Sequence, residues 1–460
     1  MGSERGPELF EGLADQAMPE AAGRGSPRVR TPVRDQVAVH WLTLDELLPA
    51  DHRARLVWLF VEKLDLSELY RAIKAVEGRP GHPPAAPPLL VALWLYATLE
   101  QVGSARMLDR LCGEHLGFRW MCGGVSMNYH TLAAFRVAHP EVLDRLLSQS
   151  FAACLHAGLA DLDRVAQDGI RVRASAGAAS FRRRRTLEQC HKLAKAEVAR
   201  LRTEVRDDPA AGTRRQQAAR QRAACERAAR VGAALQAVEA LAARQPRQEA
   251  ESSQPPSETP PLSGAADKKP AEPRASTTDV EARVMKMGDG GFRPAFNVQF
   301  ATATSSQLIA AVSIGNIGSD QGQLAPMVEQ LGERYGQRPS EILVDGGFTK
   351  LADIEAVSAT GETTVYAPVS KPRDPNRDPH APRLGDPPGV IAWRARMATP
   401  DAQTIYKDRA ATAECVNALA RNRGLQRFLV RGLDKAKAVA LWFALAHNLM
   451  RSLSLSTVTT

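Results

Sequence analysis

The sequence predicts a mixed α/β protein: a layer of strands flanked by helices, preceded by an all-helical region and interrupted by a helical hairpin. Three observations carry this. Apolar residues recur at helical spacing from Trp41 to about Ala160. Short β-like runs then appear on both sides of a long basic stretch, at Val165 to Arg173, Pro294 to Ala301, Leu308 to Ile314 and Ile342 to Val344. Within the basic stretch, Leu187, His191, Ala194, Val198, Leu201 and Val205 follow alternating steps of four and three, as do Val231, Leu235, Val238 and Ala242.

Residues 1–35 mix Gly, Pro, Arg and Glu without apolar periodicity and are expected to form a mobile tail. In the helical region, residues 36–160, Thr43 is expected to cap a helix from Leu44 to Leu48 and Ser67 one from Glu68 to Val76. An apolar helix from Leu89 to Leu99 follows a Pro-rich turn. Two later helices, Ser104 to His115 and Asn128 to Arg136, flank a Gly-containing segment. As a helix-turn-helix they would turn Tyr129, His130 and Arg136 towards DNA. Ordinary helical packing fits those residues equally well, because the connection is longer than the three or four residues typical of that motif.

After the first strand the chain leaves its sheet-like pattern at Phe181 to Arg185, and a basic antiparallel hairpin is expected over residues 181–245. Seven prolines between Pro246 and Thr278 predict a flexible linker over 246–278. Sheet character returns with neighbouring antiparallel strands at Pro294 to Ala301 and Leu308 to Ile314. A helix from Asp320 to Tyr335, the strand at Ile342, a helix near Leu351 to Val357 and a strand from Thr364 to Val369 complete the layer, and the first strand must join it across the insertion. The chain closes with a helix opened by Thr399-Pro400-Asp401, a link from Gly424 to Gly432, and an apolar helix from Asp434 to about Leu453.

The chain has 460 residues and a formal charge of +9. Residues 164–230 alone hold 18 Lys/Arg against 7 Asp/Glu, an excess larger than that of the whole chain. Such clustering points to a polyanion, most simply nucleic acid, although a solvated helical face carries similar charge. The six cysteines form no CxxC pair and no signal peptide precedes them, which predicts free thiols in a reducing cytoplasm. Neither long apolar run reaches the ~18 residues of a membrane span. A GxxxxGK[ST] loop is absent, which argues against NTP-driven chemistry, and the Cys and His residues lack zinc-ligand spacing.

Three acids stand out. Asp168 lies inside a strand-like run, where Asp is disfavoured. Asp345 follows Leu343-Val344 at the point where a strand gives way to a turn, and Glu414 lies on the helix opened at Thr399. Each alone reads equally as a turn or solvated residue. Converging, the three would hold two divalent cations about 4 Å apart, the arrangement that activates water for in-line attack on a phosphodiester. Hard oxygen donors suit Mg²⁺, with Mn²⁺ able to substitute.

Several stretches together resemble the DDE-class insertion-sequence transposases of bacteria. They are Asp168-Gly-Ile-Arg-Val-Arg-Ala-Ser, Arg283-Val-Met-Lys-Met ahead of Phe296-Asn-Val-Gln, Ser319-Asp320-Gln-Gly-Gln-Leu, Leu343-Val-Asp345-Gly-Gly-Phe, and Glu414 followed by Arg427-Phe-Leu-Val-Arg-Gly-Leu. The resemblance implies a ribonuclease-H-like catalytic domain, formed by residues 161–180 and 279–455, with Asp168, Asp345 and Glu414 as its catalytic and metal-binding triad. It also implies that Tyr406 and Arg409 contact DNA beside the cleaved phosphate, within a Tyr/Arg/Glu/Lys signature. The Lys position of that signature is Arg421 here, a planar fork in place of a compact ammonium. Cys415-Val416-Asn417 stands where relatives usually have Pro and a nearby aromatic. The function expected is a cytoplasmic, nucleoid-associated transposase that binds terminal inverted repeats as a homodimer and performs hydrolysis and strand transfer with two Mg²⁺. The alternatives are a catalytically inactive or regulatory DNA-binding protein derived from a transposase, and a nuclease that cuts without joining.

Overall fold

Six strands gather into one sheet, and the helices of the C-terminal half, with the helix that precedes the first strand, pack against it. The computed structural model describes residues 41–75, 83–207, 213–252, 272–372, 374 and 376–458. The expected tail at 1–35 lies outside them, as does most of the expected linker. The chain divides after Leu47. Before that division, Thr43 and Glu46 close a reciprocal box, Thr43 N to Glu46 Oε2 at 2.7 Å and Glu46 N to Thr43 Oγ1 at 3.2 Å. The box closes a turn and no helix, which corrects the expectation for Leu44 to Leu48; Leu48 precedes Pro49, and a residue before proline is disfavoured in helical conformation.

From Leu48 onward the order is α1 (Arg53–Val61), α2 (Ser67–Arg71), α3 (Pro87–Leu99), α4 (Ala105–Glu114), α5 (Leu116–Cys122), α6 (Tyr129–Ala138) and α7 (Pro140–His156). Next come β1 (Arg164–Arg173), β2 (Phe181–Arg183), α8 (Arg184–Asp207), α9 (Arg214–Ser252), β3 (Arg274–Ser276), β4 (Arg283–Lys286), β5 (Phe292–Ala303) and β6 (Ile309–Gly315). The remainder is α10 (Leu324–Tyr335), β7 (Glu341–Leu343), α11 (Leu351–Ser358), β8 (Thr364–Tyr366), α12 (Pro388–Met397), α13 (Pro400–Arg409), α14 (Cys415–Asn422) and α15 (Leu433–Val458).

The sheet order is β4-β5-β1-β7-β8, with β6 sharing the outer edge of β5 with β4. β1 is antiparallel to β5 along its whole length and parallel to β7 only through Arg164 to Ala166. Past Ala166, that side of β1 has no strand neighbour; α13, α14 and the turn between them approach it, and at its end Arg173 exchanges backbone bonds with Gln426 and Phe428. The sheet is thus mixed, with helices on both faces.

α3 is apolar all round, and such a helix must be enclosed. It packs with α1, α5 and α6 on one side and α15 on another. α15 in turn covers β5 and β6, so Trp94, Phe300, Trp442 and Phe443 belong to one core. A second core, with Ile342, Phe348 and Trp393, fills the far side of β7 and β8. Asp144 ties three elements together by accepting from Arg334 of α10 at 2.6 Å and Lys437 of α15 at 2.9 Å.

α8 and α9 form the expected hairpin. Leu187, Ala194, Leu201, Val231 and Val238 are buried along its seam, and His191 packs over Gly232. Four local expectations are corrected. The helix at Ser67 ends at Arg71. The stretch at Phe181 is a strand, because β2 pairs with β3 and buries Phe181, so β3 also interrupts the expected linker, and α9 runs on to Ser252. α10 starts at Leu324, four residues late, because Gly322 has φ of +82°. Among the described residues no helix is long and apolar enough to cross a membrane.

Candidate active site

The free side of β1 beyond Ala166 sets the geometry. Asp168 sits there, opposite Phe300 on β5, with 16 % of its side chain exposed. Its Oδ1 accepts from Gly169 N at 2.8 Å and its Oδ2 from Asn417 Nδ2 of α14 at 3.1 Å. Asp345 follows β7 by two residues and caps a short 3₁₀ turn at Gly346–Phe348, its Oδ1 accepting from Gly347 N at 2.7 Å. The helix carrying Glu414 begins as expected: Thr399 Oγ1 accepts from Ala402 N at 3.2 Å, with Pro400 in the first turn.

Between α13 and α14, residues Ala410–Glu414 form a π turn. Arg409 and Glu414 are five residues apart, and in a regular helix at about 100° per residue they would point roughly 140° away from each other. The wider turn brings them to one side, with Arg409 Nη1 3.5 Å from Glu414 Oε1. The same guanidinium lies 3.7 Å from Asp168 Oδ2 and 3.9 Å from Asp345 Oδ2, and its Nε donates to Tyr406 Oη at 3.2 Å. Three carboxylates from two strands and a helix therefore face one cation. They are spaced around it: among the described residues no three His, Cys, Asp or Glu side chains are close enough to hold a metal ion as they stand. The donors are all hard oxygens around one positive charge, so the set fits a hard divalent cation by chemistry, with Arg409 supplying the neutralising charge.

Electrostatics follow from this crowding. Burial, and then the neighbouring Asp345 and Asp320, push Asp168 up to about 6 against the pull of Arg409 and the Gly169 amide. Burial works to lower Arg409, but the bond to Tyr406 and the charges of Asp168 and Asp345 outweigh it, so its pKa is raised. Burial raises Tyr406.

Behind β1 lies a second polar cluster. Asp320, 7 % exposed, accepts from Asn297 Nδ2 and Gln299 Nε2 at 2.7 Å each and from Arg171 Nη2 at 3.2 Å. A Cβ on Gly169 would stand 2.5 Å from both Asp320 Oδ1 and Gln299 Nε2, so the close approach requires glycine there. Sequence reasoning gave no role to Asp320 or Asn417. Both act through tertiary contacts; in the sequence Asp320 stood out only within the stretch Ser319-Asp320-Gln-Gly-Gln-Leu, and Asn417 only as part of the departure after Glu414.

The remaining expected residues are spread more widely. Arg421 is exposed at the end of α14. Tyr129 and His130 open α6 with ring centroids 4.0 Å apart, and Arg106 lies 5.0 Å over the Tyr129 ring. Arg136 turns inward, donating to Gly103 O and lying 4.7 Å over Trp94. The structure brings together Asp168, Asp345, Glu414, Arg409 and Tyr406, and leaves Tyr129 and His130 on α6.

Two family models match the chain. Transposase domain (DUF772) covers residues 42–138, and Transposase DDE domain covers residues 390–453, which include Tyr406, Arg409, Glu414 and Arg421. No curated protein and no solved structure matches it. A transposase domain matched among the N-terminal helices and a DDE domain matched around Glu414 together support a DDE-class insertion-sequence transposase.

Proposed function

We propose that the chain is a transposase of ribonuclease-H-like catalytic fold that binds the terminal inverted repeats of its element, hydrolyses the phosphodiester at the element's end and joins the freed end to target DNA. The observation that carries this is the convergence of Asp168, Asp345 and Glu414 on the Arg409 guanidinium, all within 3.9 Å. These carboxylates would hold two Mg²⁺, or Mn²⁺. When bound, the ions supply activation of the attacking oxygen and stabilisation of the leaving one.

The chain's own groups set up the geometry. Gly169 N and Asn417 hold both oxygens of Asp168, and Gly347 N holds one of Asp345, so both acids are oriented before any ion arrives. Arg409, paired with Tyr406, releases the acids as it turns to the phosphate being cleaved, and Arg421 contacts the DNA beyond it. Water attacks phosphorus and the 3′ oxygen leaves as a hydroxyl. That hydroxyl then attacks a target phosphodiester in line, so bonds broken and formed balance without a covalent protein intermediate. Tyr129, His130 and the basic face of α8 and α9 are assigned to holding duplex DNA. Two ends must be paired, which calls for a homodimer in the active complex.

The test is cleavage of a labelled duplex carrying the element's end with Mg²⁺ or Mn²⁺, comparing wild type with Asp168→Ala, Asp345→Ala and Glu414→Ala at matched DNA occupancy. Nicking at the element boundary is expected from wild type only, with rates in each variant down at least ~10³-fold. Specific binding without nicking by wild type would favour the inactive or regulatory reading, and cleavage without strand transfer the nuclease one.

A further inference from the structure

Some distance along α14 from the acids, the segment Arg421 to Leu429 faces α3 and α6 across a cavity of about 360 Å³. Arg136, Arg421, Arg423 and Arg427 line it with Gln101 and Gln426, and no carboxylate does. Arg421 and Arg427 are exposed at its rim, while Arg136 and Arg423 are half-buried. The nearest acid in sequence, Glu100, is taken by Arg53 at 3.1 Å.

The two inner arginines are incompletely satisfied. Arg136 Nε and Arg423 Nη1 are buried with no acceptor, although Arg136 Nη1 reaches Gly103 O. Buried N–H groups on a charged side chain are normally paired, so two orphans around one cavity mark a place where an acceptor is missing. Burial alone pulls Arg136 down to about 10, and burial with the nearby Arg53 lowers Arg423, as expected of cations held without a counter-charge. Four forked donors converging without an acid suit a tetrahedral oxyanion, and guanidinium prefers phosphate to a halide for its matched geometry. The volume is near the lower end of small-molecule clefts, roughly 300–1,000 Å³, with room for a phosphodiester and part of its sugars.

We propose that this cavity is a phosphate-binding pocket that grips one backbone phosphate of the bound DNA, away from the phosphate being cleaved. This rests on the DNA-processing reading above. Arg421 lies seven residues past Glu414 on α14, roughly 10 Å along the axis, or about three nucleotide steps of one strand. The pocket therefore fixes the register of the strand relative to the acids, with Arg136 contributed by the N-terminal helices and Arg423 by the link to α15. Binding there is independent of base sequence.

Two measurements on the full-length protein test this. In the first, thermal unfolding is followed in inorganic phosphate and in sodium chloride at matched ionic strength. Wild type is expected to be stabilised by phosphate, with the effect lost in Arg423→Gln and Arg136→Gln and largely kept in Arg423→Lys. In the second, binding to a duplex of arbitrary sequence is followed across a salt series. Each Gln variant is expected to lower the slope of log affinity against log salt by about one. Arg136 also packs on Trp94, so if its variant unfolds, the two Arg423 variants decide. Phosphate stabilisation absent in wild type overturns the pocket. Stabilisation present with slopes unchanged overturns its assignment to DNA, leaving a site for free anions. Neither readout involves metal or cleavage, so a protein that never nicks DNA would fail the proposed function and leave both results standing.

Discussion

Burial makes single residues carry opposite pH dependences here. His447 on α15 is 2 % exposed, shares a bond of 2.8 Å between Nε2 and Gln307 O, and leaves Nδ1 buried without a partner. Burial pulls its pKa from 6.5 down to about 4. A histidine depressed on folding contributes stability that is present above 6.5 and lost as pH falls towards 4, because the unfolded chain takes up the proton first. Asp168, raised from 3.8 to about 6, has the other sign: its contribution is present below 3.8 and lost as pH rises through 6. The two oppose one another in mildly acid solution, so a difference measurement separates them. Unfolding by urea of wild type and His447→Gln is expected to show a stability difference that moves against wild type by about 2 kcal/mol between pH 7.5 and pH 5. A difference independent of pH would mean that this imidazole is not buried neutral. At this scale the sequence showed which acids to watch, since an Asp inside a strand asks for a reason. It could not show that Arg409 would stand among all three, or that Asn417 would bond to Asp168 across 249 positions.

The π turn is where an element, more than a residue, decides the site. Helix start and end at α13 and α14 were legible from Thr399-Pro400 and Gly424, but Ala410-Ala411-Thr412-Ala413 suits a regular helix as well as a wide turn. Its choice is made by tertiary contacts: Thr412 and Ala413 are buried, and Gln307 Nε2 donates to Ala411 O at 3.0 Å. Inserting one alanine after Ala410, which is exposed, should keep the segment helical but carry Glu414 about 100° further round the axis from Arg409. Nicking is expected to fall roughly 10²-fold or more, with little change in helical circular dichroism. Cleavage at the wild-type rate would show that the offset of Glu414 from Arg409 is immaterial. β7 offers a similar lesson. Its paired residues, Glu341 to Leu343, start one residue before the apolar run, and Val344 N still donates to Tyr366 O of β8 before the chain turns to present Asp345.

Across the whole molecule, the helical hairpin stands apart energetically. Leu187, Val231, Ala234 and Val238 form a core with Ala275 of β3 that shares no buried residue with the other three. The seam was legible from its spacing. The β2–β3 pair at its base was not, because three-residue strands among arginines and prolines carry no periodicity. Excising the hairpin and joining β2 to β3 by a short turn should leave the main thermal transition within a few degrees of wild type, while duplex affinity falls and becomes less salt-dependent. A collapse of the main transition would mean that the hairpin supports the sheet.

The pairing of β2 with β3 also bears on the order in which the chain can fold. β1 and β5 lie side by side in the sheet, yet roughly 120 residues separate the end of one from the start of the other. Once the hairpin has closed on its own core, β2 and β3 bring its two ends together, and the connection still to be closed shortens to roughly 20 residues, lowering the entropic cost by about 1.5 kcal/mol. The insertion then acts as a clasp that forms locally and early, so the strand bearing Asp168 finds its neighbour over a short distance despite the long detour in between.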